Sequence, residues 1–192
     1  MNEFTLHSQE TAPGDAKPLL ENSMKRMGFI PNLHAVIAKP PVILEPYQKV
    51  IDASSKAGLT PTERQVVYQV NNFDAGCTYC VVAHSMISDM EKVPAEITEA
   101  LRAGTLLPDE KLEVLAQFSR KIRSSFGYAS EADGEAFYKA GYSKTNVLDV
   151  IVITATKVLS NYTNHIAETP LDKAFEAYIW EKPMVTAAEK TW

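Results

Sequence analysis

Apolar residues along the chain recur at three- and four-residue steps, and nowhere alternate with a period of two over a useful length. The spacing predicts a helix over residues 15–29, with Leu19, Leu20, Met24 and Met27 in register and Gly28 near its end. Two more helices, LHAVIAKPP and VILEPYQKVIDASSKAG, are separated by a break at Pro40–Pro41, and Gly58 sits where a helix C-terminal glycine belongs. The clearest start signal is TPTE at 60–63: Thr60 as N-cap, Pro61 at the first helical position and Glu63 completing a capping box. The helix that follows carries Val66, Val67, Val70 and Phe73 on one face and Gln65, Tyr68, Gln69 and Asn72 on another. The second face reads as solvated, with the border of a cavity as the alternative. After Gly76 a helix runs from about Cys77 to Met90.

Further helices are predicted at VPAEITEALRAG, PDEKLEVLAQFSRKIRSSFG, SEADGEAFYKAG and SKTNVLDVIVITATKVLSNYTNHIAE, and a last amphipathic turn or helix at LDKAFEAYIW. The β-branched run at 147–153 would suit a strand, but its flanks and length favour a buried helix. The fold class is therefore all-α, helices joined by short turns, in one domain over 1–192. Residues 1–14 read as a loose N-terminal arm and 184–192 as a mobile tail.

Composition adds limits. A hydrophobic fraction of 45% with 22% charged residues suits a globular core, and the net charge of −5, without a Lys/Arg cluster, argues against a nucleic-acid partner. No apolar run reaches the roughly 18 residues a membrane span needs. The polar N-terminus lacks the basic start and apolar centre of a secretory signal, so the expected location is cytoplasmic. In that compartment a close thiol pair is more often catalytic, redox-sensing or metal-binding than a lasting disulfide.

Both cysteines of the chain lie in GCTYCVVAHS at 76–85. On a helix, Cys77 neighbours Cys80, and Cys80 neighbours His84, along one stripe. Only the thiolate is nucleophilic. The helix N-terminus favours it, and His84 can take its proton or stabilise it as imidazolium. Peroxide attack by one thiolate gives a sulfenic acid, which a second thiol condenses to a disulfide that a dithiol donor can reduce. Cys80, beside His84, is the better first nucleophile, and Cys77 resolves. Haem attachment is excluded because Val81, not histidine, follows Cys80. Zinc held by Cys77, Cys80, His84 and a fourth ligand such as His165 is a minor alternative, as is a pair of merely buried cysteines. Of the other histidines, His7 reads as solvent-exposed, His34 as rim or core, and His165 has the best claim to line a cavity.

The stretch LTPTERQVVYQVNNFDAGCTYCVVAHS (59–85) resembles the AhpD-like alkylhydroperoxidases of the carboxymuconolactone decarboxylase superfamily, and most closely their peroxidase-related branch. GFIPNLHAVIAKPPVI (28–43) and GYSKTNVLDVIVITATKVLSNYTNHIAETPLD (141–172) extend the likeness. The resemblance implies an AhpD-like helical bundle with CxxCxxxH on a helix. It implies a homo-oligomer, trimer or hexamer; no cofactor or metal is expected from the residues. It implies a thiol peroxidase in which Cys80 attacks a hydroperoxide, Cys77 resolves and His84 relays the proton. Regeneration would run through a lipoyl-bearing or thioredoxin-like dithiol partner. The relay carboxylate of the family falls on Gln65, which cannot accept a proton at neutral pH. The nearest acid is Glu63, also the expected capping-box glutamate. A thiol–disulfide partner or sensor with little peroxidase turnover is the alternative. The namesake decarboxylase branch lacks the thiol pair.

Overall fold

The computed structural model describes residues 4–39 and 41–183. Nine α-helices are present among them: α1 Lys17–Met27, α2 Asn32–Val36, α3 Pro41–Ser55, α4 Pro61–Ala75, α5 Thr78–Met90, α6 Ala95–Ala103, α7 Glu110–Ser124, α8 Glu131–Lys139 and α9 Lys144–Ala167. The closing segment is a 3₁₀ turn at Lys173–Tyr178. The β-branched run 147–153 lies within α9. Pro40 and the tail 184–192 lie outside the described residues.

The capping box at α4 forms as read: Thr60 Oγ1 accepts from the Glu63 N–H, and Glu63 Oε2 accepts from the Thr60 N–H at 2.8 Å. Gly76 then takes φ +66, the left-handed region that costs glycine least, and turns the chain straight into α5.

Two apolar clusters flank α4. Val66, Val67 and Val70 join Leu101, Leu115, Phe118, Phe137, Val150 and Ile153 on one side. On the other, Phe73 joins a cluster of residues from α1, α2, α3 and α5 closed by Phe175 and Trp180. Since α9 packs on both α3 and α4, the middle of α4 and the start of α5 are enclosed on several sides. That enclosure puts polar residues of α4, α5 and α9 out of water.

The N-terminal arm is not loose over its described part. The His7 N–H donates to the Ala35 carbonyl at 3.2 Å, and Ala12 is buried in the core. Among the described residues, no helix is long and apolar enough to cross a membrane.

Candidate active site

Cys77 is the N-cap of α5 and Cys80 lies one turn in; both thiols are free and buried. The two thiols are close enough to act on each other's ionisation. The two thiols are therefore pushed in opposite directions. The hydrogen bond to Cys80, with burial, raises Cys77. Burial alone would raise Cys80 as well. The Cys77 donor, the Lys157 charge, and hydrogen bonds from Asn164 and Ser160 together outweigh it and bring Cys80 to about 6. The Asn164 amide N–H lies 3.2 Å from the Cys80 sulfur.

Lys157, Ser160 and Asn164 all come from α9, on its inward face. Lys157 is only 2% exposed. It is not among the residues singled out from the sequence above. The signal was there: a lysine in the middle of a buried helix must find a partner, because an unpaired buried charge is too costly to keep. Its partner is His84, whose Nε2 accepts from the Lys157 Nζ at 3.2 Å.

From there a directed chain leads outward. His84 Nδ1 meets Gln65 Oε1 at 2.9 Å, and Gln65 Nε2 donates to Glu91 Oε2 at 2.8 Å. Arg64 pairs with the same Glu91 at 3.6 Å. An ammonium only donates and a carboxylate only accepts, so the two ends set every proton between them. His84 is neutral with its proton on Nδ1, and the Gln65 amide turns its oxygen to His84. Burial, then the Lys157 charge, hold His84 well below the ordinary histidine range. Tyr68 lies against the ring, centroids 4.5 Å apart.

This revises the expected geometry in one respect. His84 is not an imidazolium touching the thiol. Both its nitrogens are engaged elsewhere, and the cation acting on Cys80 is Lys157. Gln65 occupies the place beside His84. Glu63 does not come to the site: its Oε1 pairs with Lys111 at 2.8 Å, and its other oxygen caps α4. Burial raises Glu63, but Lys111 and Thr60 more than offset this and hold it below the usual carboxylate range.

The polar face of α4, read as solvated, is buried. Gln69 donates to the Val81 carbonyl at 3.1 Å, and Asn72 to the Cys80 carbonyl at 3.2 Å. These amides bond the backbone of α5, which explains how they tolerate burial. His165 is exposed in the last turn of α9, away from Cys77, Cys80 and His84, and no group of metal-holding side chains is assembled among the described residues.

A cavity of about 250 Å³ opens over Cys80, His84, Lys157 and Gln65. Its other walls mix the aromatic rings of Tyr47, Tyr68, Tyr79 and Phe175 with aliphatic side chains such as Leu33 and Ile51, and Arg64 and Glu91 also border it. Cys80 lines it and Cys77 does not. An entering molecule meets the more acidic thiol first, with the second thiol behind it.

No protein-family profile and no curated protein matches the chain. Solved structures do. An alkylhydroperoxidase AhpD core structure, an uncharacterized peroxidase-related protein from Ralstonia eutropha JMP134, superimposes with a TM-score of 0.81 at 24% identity, covering 90% of this chain and 93% of that one. The chain has the AhpD-like fold. An uncharacterized peroxidase-related protein from Silicibacter sp. TM1040 gives 0.73 at 20% identity over 91% and 95% of the two chains. A cysteine-to-alanine variant of the debrominase Bmp8, in complex with 2,3,4-tribromopyrrole, gives 0.75 at 18% identity over 93% and 96%.

Proposed function

We propose that this AhpD-like chain is a thiol peroxidase that reduces hydroperoxides through a Cys80 sulfenic acid and a Cys77–Cys80 disulfide. The observation that carries the reading is the order of the thiols: Cys80, whose sulfur accepts from the Asn164 amide, lines the cavity, and Cys77, the N-cap residue one turn before it, does not.

The Cys80 thiolate attacks the terminal oxygen of the hydroperoxide. An S–O bond forms, the O–O bond breaks, and sulfur loses two electrons. The leaving alkoxide takes a proton, for which the Lys157 ammonium is the donor at hand. Cys77 then attacks the oxidised sulfur; the S–S bond forms, the S–O bond breaks, and the hydroxyl leaves with the Cys77 proton as water. A dithiol, on a lipoyl-bearing or thioredoxin-like protein, restores both thiols by exchange.

The test uses single-turnover reaction with an organic hydroperoxide, followed by mass spectrometry. Cys77→Ser is expected to accumulate a sulfenic acid on Cys80, trapped by dimedone, with no disulfide. Cys80→Ser is expected to consume no peroxide; consumption at the wild-type rate would overturn the assignment.

A second reading is reductive dehalogenation of a haloarene at the same pair. The four aromatic rings beside Cys80's cavity, from Tyr47, Tyr68, Tyr79 and Phe175, favour it, as does likeness to a debrominase solved with a tribromopyrrole. Here thiolate would take halogen from carbon, the carbon would gain a proton, and Cys77 would displace halide. Thiol titration of the reduced protein with a hydroperoxide in one arm and a bromopyrrole in the other separates the two. A thiol–disulfide partner with little turnover would oxidise slowly in both.

A further inference from the structure

The cavity over Cys80 is bordered by a second set of polar groups, which shares no printed hydrogen bond with the chain from Lys157 to Glu91. Ser23 lies in the middle of α1 and sends its one hydroxyl proton back to the Leu19 carbonyl at 3.0 Å, as serine inside a helix commonly does. Gln48 Nε2 donates to the same carbonyl at 2.8 Å and to Ser23 Oγ at 3.0 Å. The remaining contact of that oxygen is His34 Nδ1, at 2.7 Å. With the hydroxyl proton already given to Leu19, Ser23 accepts here and the ring donates. His34 is therefore the tautomer with its proton on Nδ1, and Nε2 carries a lone pair. Among the described residues Nε2 has no hydrogen-bond partner. Ser23, His34 and Gln48 all line the cavity, and Ser23 and Gln48 are buried, so the ring is held by groups that water does not reach.

We propose that His34 Nε2 is the acceptor for a neutral hydroxyl on the substrate, and that the molecule Cys80 reduces is a compact hydroperoxide carrying this hydroxyl at the end away from its O–O bond. The inference rests on the reading of Cys80 as the peroxide-reducing thiol and names the class of substrate that suits the same cavity. Tyr47 joins the two ends. Its ring meets His34 edge to face, centroids 5.6 Å apart. Burial, then the Cys80 charge, raise its hydroxyl, so the other end of the side chain lies by the thiol. A molecule lying along Tyr47 therefore reaches Cys80 and His34 together. An apolar cavity of about 150 Å³ holds a benzene. The cavity here, about 250 Å³, holds a ring with two short substituents.

The chemistry of His34 selects the class. Burial, then the Arg26 charge, bring it down to about 4, so at neutral pH the ring is an acceptor without charge. A carboxylate or a fully ionised phosphate has no proton to give it. An ammonium would find no free carboxylate beside it, because Asp52 is paired with Arg26, and Glu91 with Gln65 and Arg64. Met27, Leu33 and Ile51 line the same cavity and suit an apolar body. A hydroxyl supplies the proton that Nε2 lacks, whereas an occupant without a donor takes that nitrogen out of water and leaves it unpaired. The difference is on the order of tenfold in affinity.

The test uses the reduced full chain with nitrogen-15 in its histidine rings, at neutral pH, and two probes that carry no peroxide. One is 4-ethylphenol. The other is 1-ethyl-4-fluorobenzene, similar in size but unable to donate a hydrogen bond. Nitrogen spectra should show His34 protonated at Nδ1 and bare at Nε2. Adding 4-ethylphenol should move the Nε2 resonance toward that of a hydrogen-bonded nitrogen, and the fluoro compound should leave it in place. By titration, the preference of the wild type for the phenol over the fluoro compound should exceed that of His34→Phe by ~10-fold. A protonated Nε2, an Nε2 resonance that the phenol does not move, or the same preference in both proteins overturns the proposal. Should His34→Phe fail to fold, the wild-type spectra decide alone. Peroxide turnover enters neither measurement. A Cys80 inert to hydroperoxides would therefore overturn the peroxidase reading while the phenol results stood, and the failures named here would overturn the hydroxyl site while peroxidase activity stood.

Discussion

Replacing Lys157 by methionine tests the electrostatics of the thiol directly. The change removes the buried ammonium and keeps most of its stem. Cys80 sits at about 6, against roughly 8.5 for a free thiol. That gap corresponds to about 3 kcal/mol at ~1.4 kcal/mol per tenfold change. A unit charge some ångströms away, at an effective dielectric near 20, contributes on the order of 2–3 kcal/mol. Loss of Lys157 should therefore move the titration of Cys80 from about 6 to about 7.5–8, with the Cys77, Asn164 and Ser160 hydrogen bonds keeping the remainder. At pH 7 the thiolate fraction would fall from about nine-tenths to about one-fifth, and at pH 6 from about one-half to a few per cent.

The assay is the pH dependence of iodoacetamide alkylation, with Cys80 identified by peptide mass spectrometry. Lys157→Met should react ~5-fold more slowly at pH 7, more than ~10-fold more slowly at pH 6, and at the wild-type rate above about pH 9, where both forms are ionised. His84 should shift upward as well, its ring regaining basicity as the neighbouring charge goes, although burial still holds it low. Stability should change little. The His84 Nε2 loses its donor, which costs ~1–3 kcal/mol, but the fold no longer buries an ammonium. An alkylation profile that superimposes on the wild type would refute the argument that Lys157 acidifies Cys80.

Exchanging the amide and the acid beside His84 tests the relay. In Gln65→Glu/Glu91→Gln a carboxylate meets His84 Nδ1 and an amide restores its donor, whereas Gln65→Glu alone sets two carboxylates side by side. The double variant should react with hydroperoxide on the order of tenfold faster at neutral pH; a rate no higher than that of the wild type or of Gln65→Glu counts against a relay through this position. The reduced protein should lose stability as pH falls. Cys80, an acid depressed to about 6, stabilises the fold above its unfolded value and loses that contribution as pH drops to 6; His34, a base depressed to about 4 by burial and then Arg26, does so between its ordinary value and 4. Each amounts to about 3 kcal/mol, so a urea midpoint unchanged between pH 8 and pH 4.5 would contradict both. Cys77, raised instead, adds stability at low pH and loses it as pH climbs past the free-thiol value. Finally, Gly104→Ala should destabilise by more than ~3 kcal/mol, read as a lower thermal midpoint. The glycine has φ +68, and an added Cβ would lie 2.1 Å from the Phe73 ring.

Much of the fold was legible because its signals are local. Periodicity, the Thr60–Glu63 box and the glycines at 76 and 104 each report on neighbours a few residues away, and those elements stand where they were read. The nearness of Cys77 to Cys80 is local as well, but His84, one turn further on, turns its two ring nitrogens to Gln65 and Lys157 rather than to the thiol. What failed was each judgement of environment. The amide face of α4 is chemically suited to water, and so was read as solvated; only the packing of α5 and α9 around it supplies carbonyls as substitute partners.

Taken alone, the order of residues determined the helices, their ends, and the nearness of Cys77 to Cys80, because backbone geometry fixes what lies within one turn. Tertiary structure decided which thiol faces the cavity, which cation acts on it, and which acid stands at the end of the chain. Lys157 is 73 positions from His84 and Glu91 is 26 from Gln65. No local rule couples such separations; only burial, which forces charged groups to find each other away from water, brings them together.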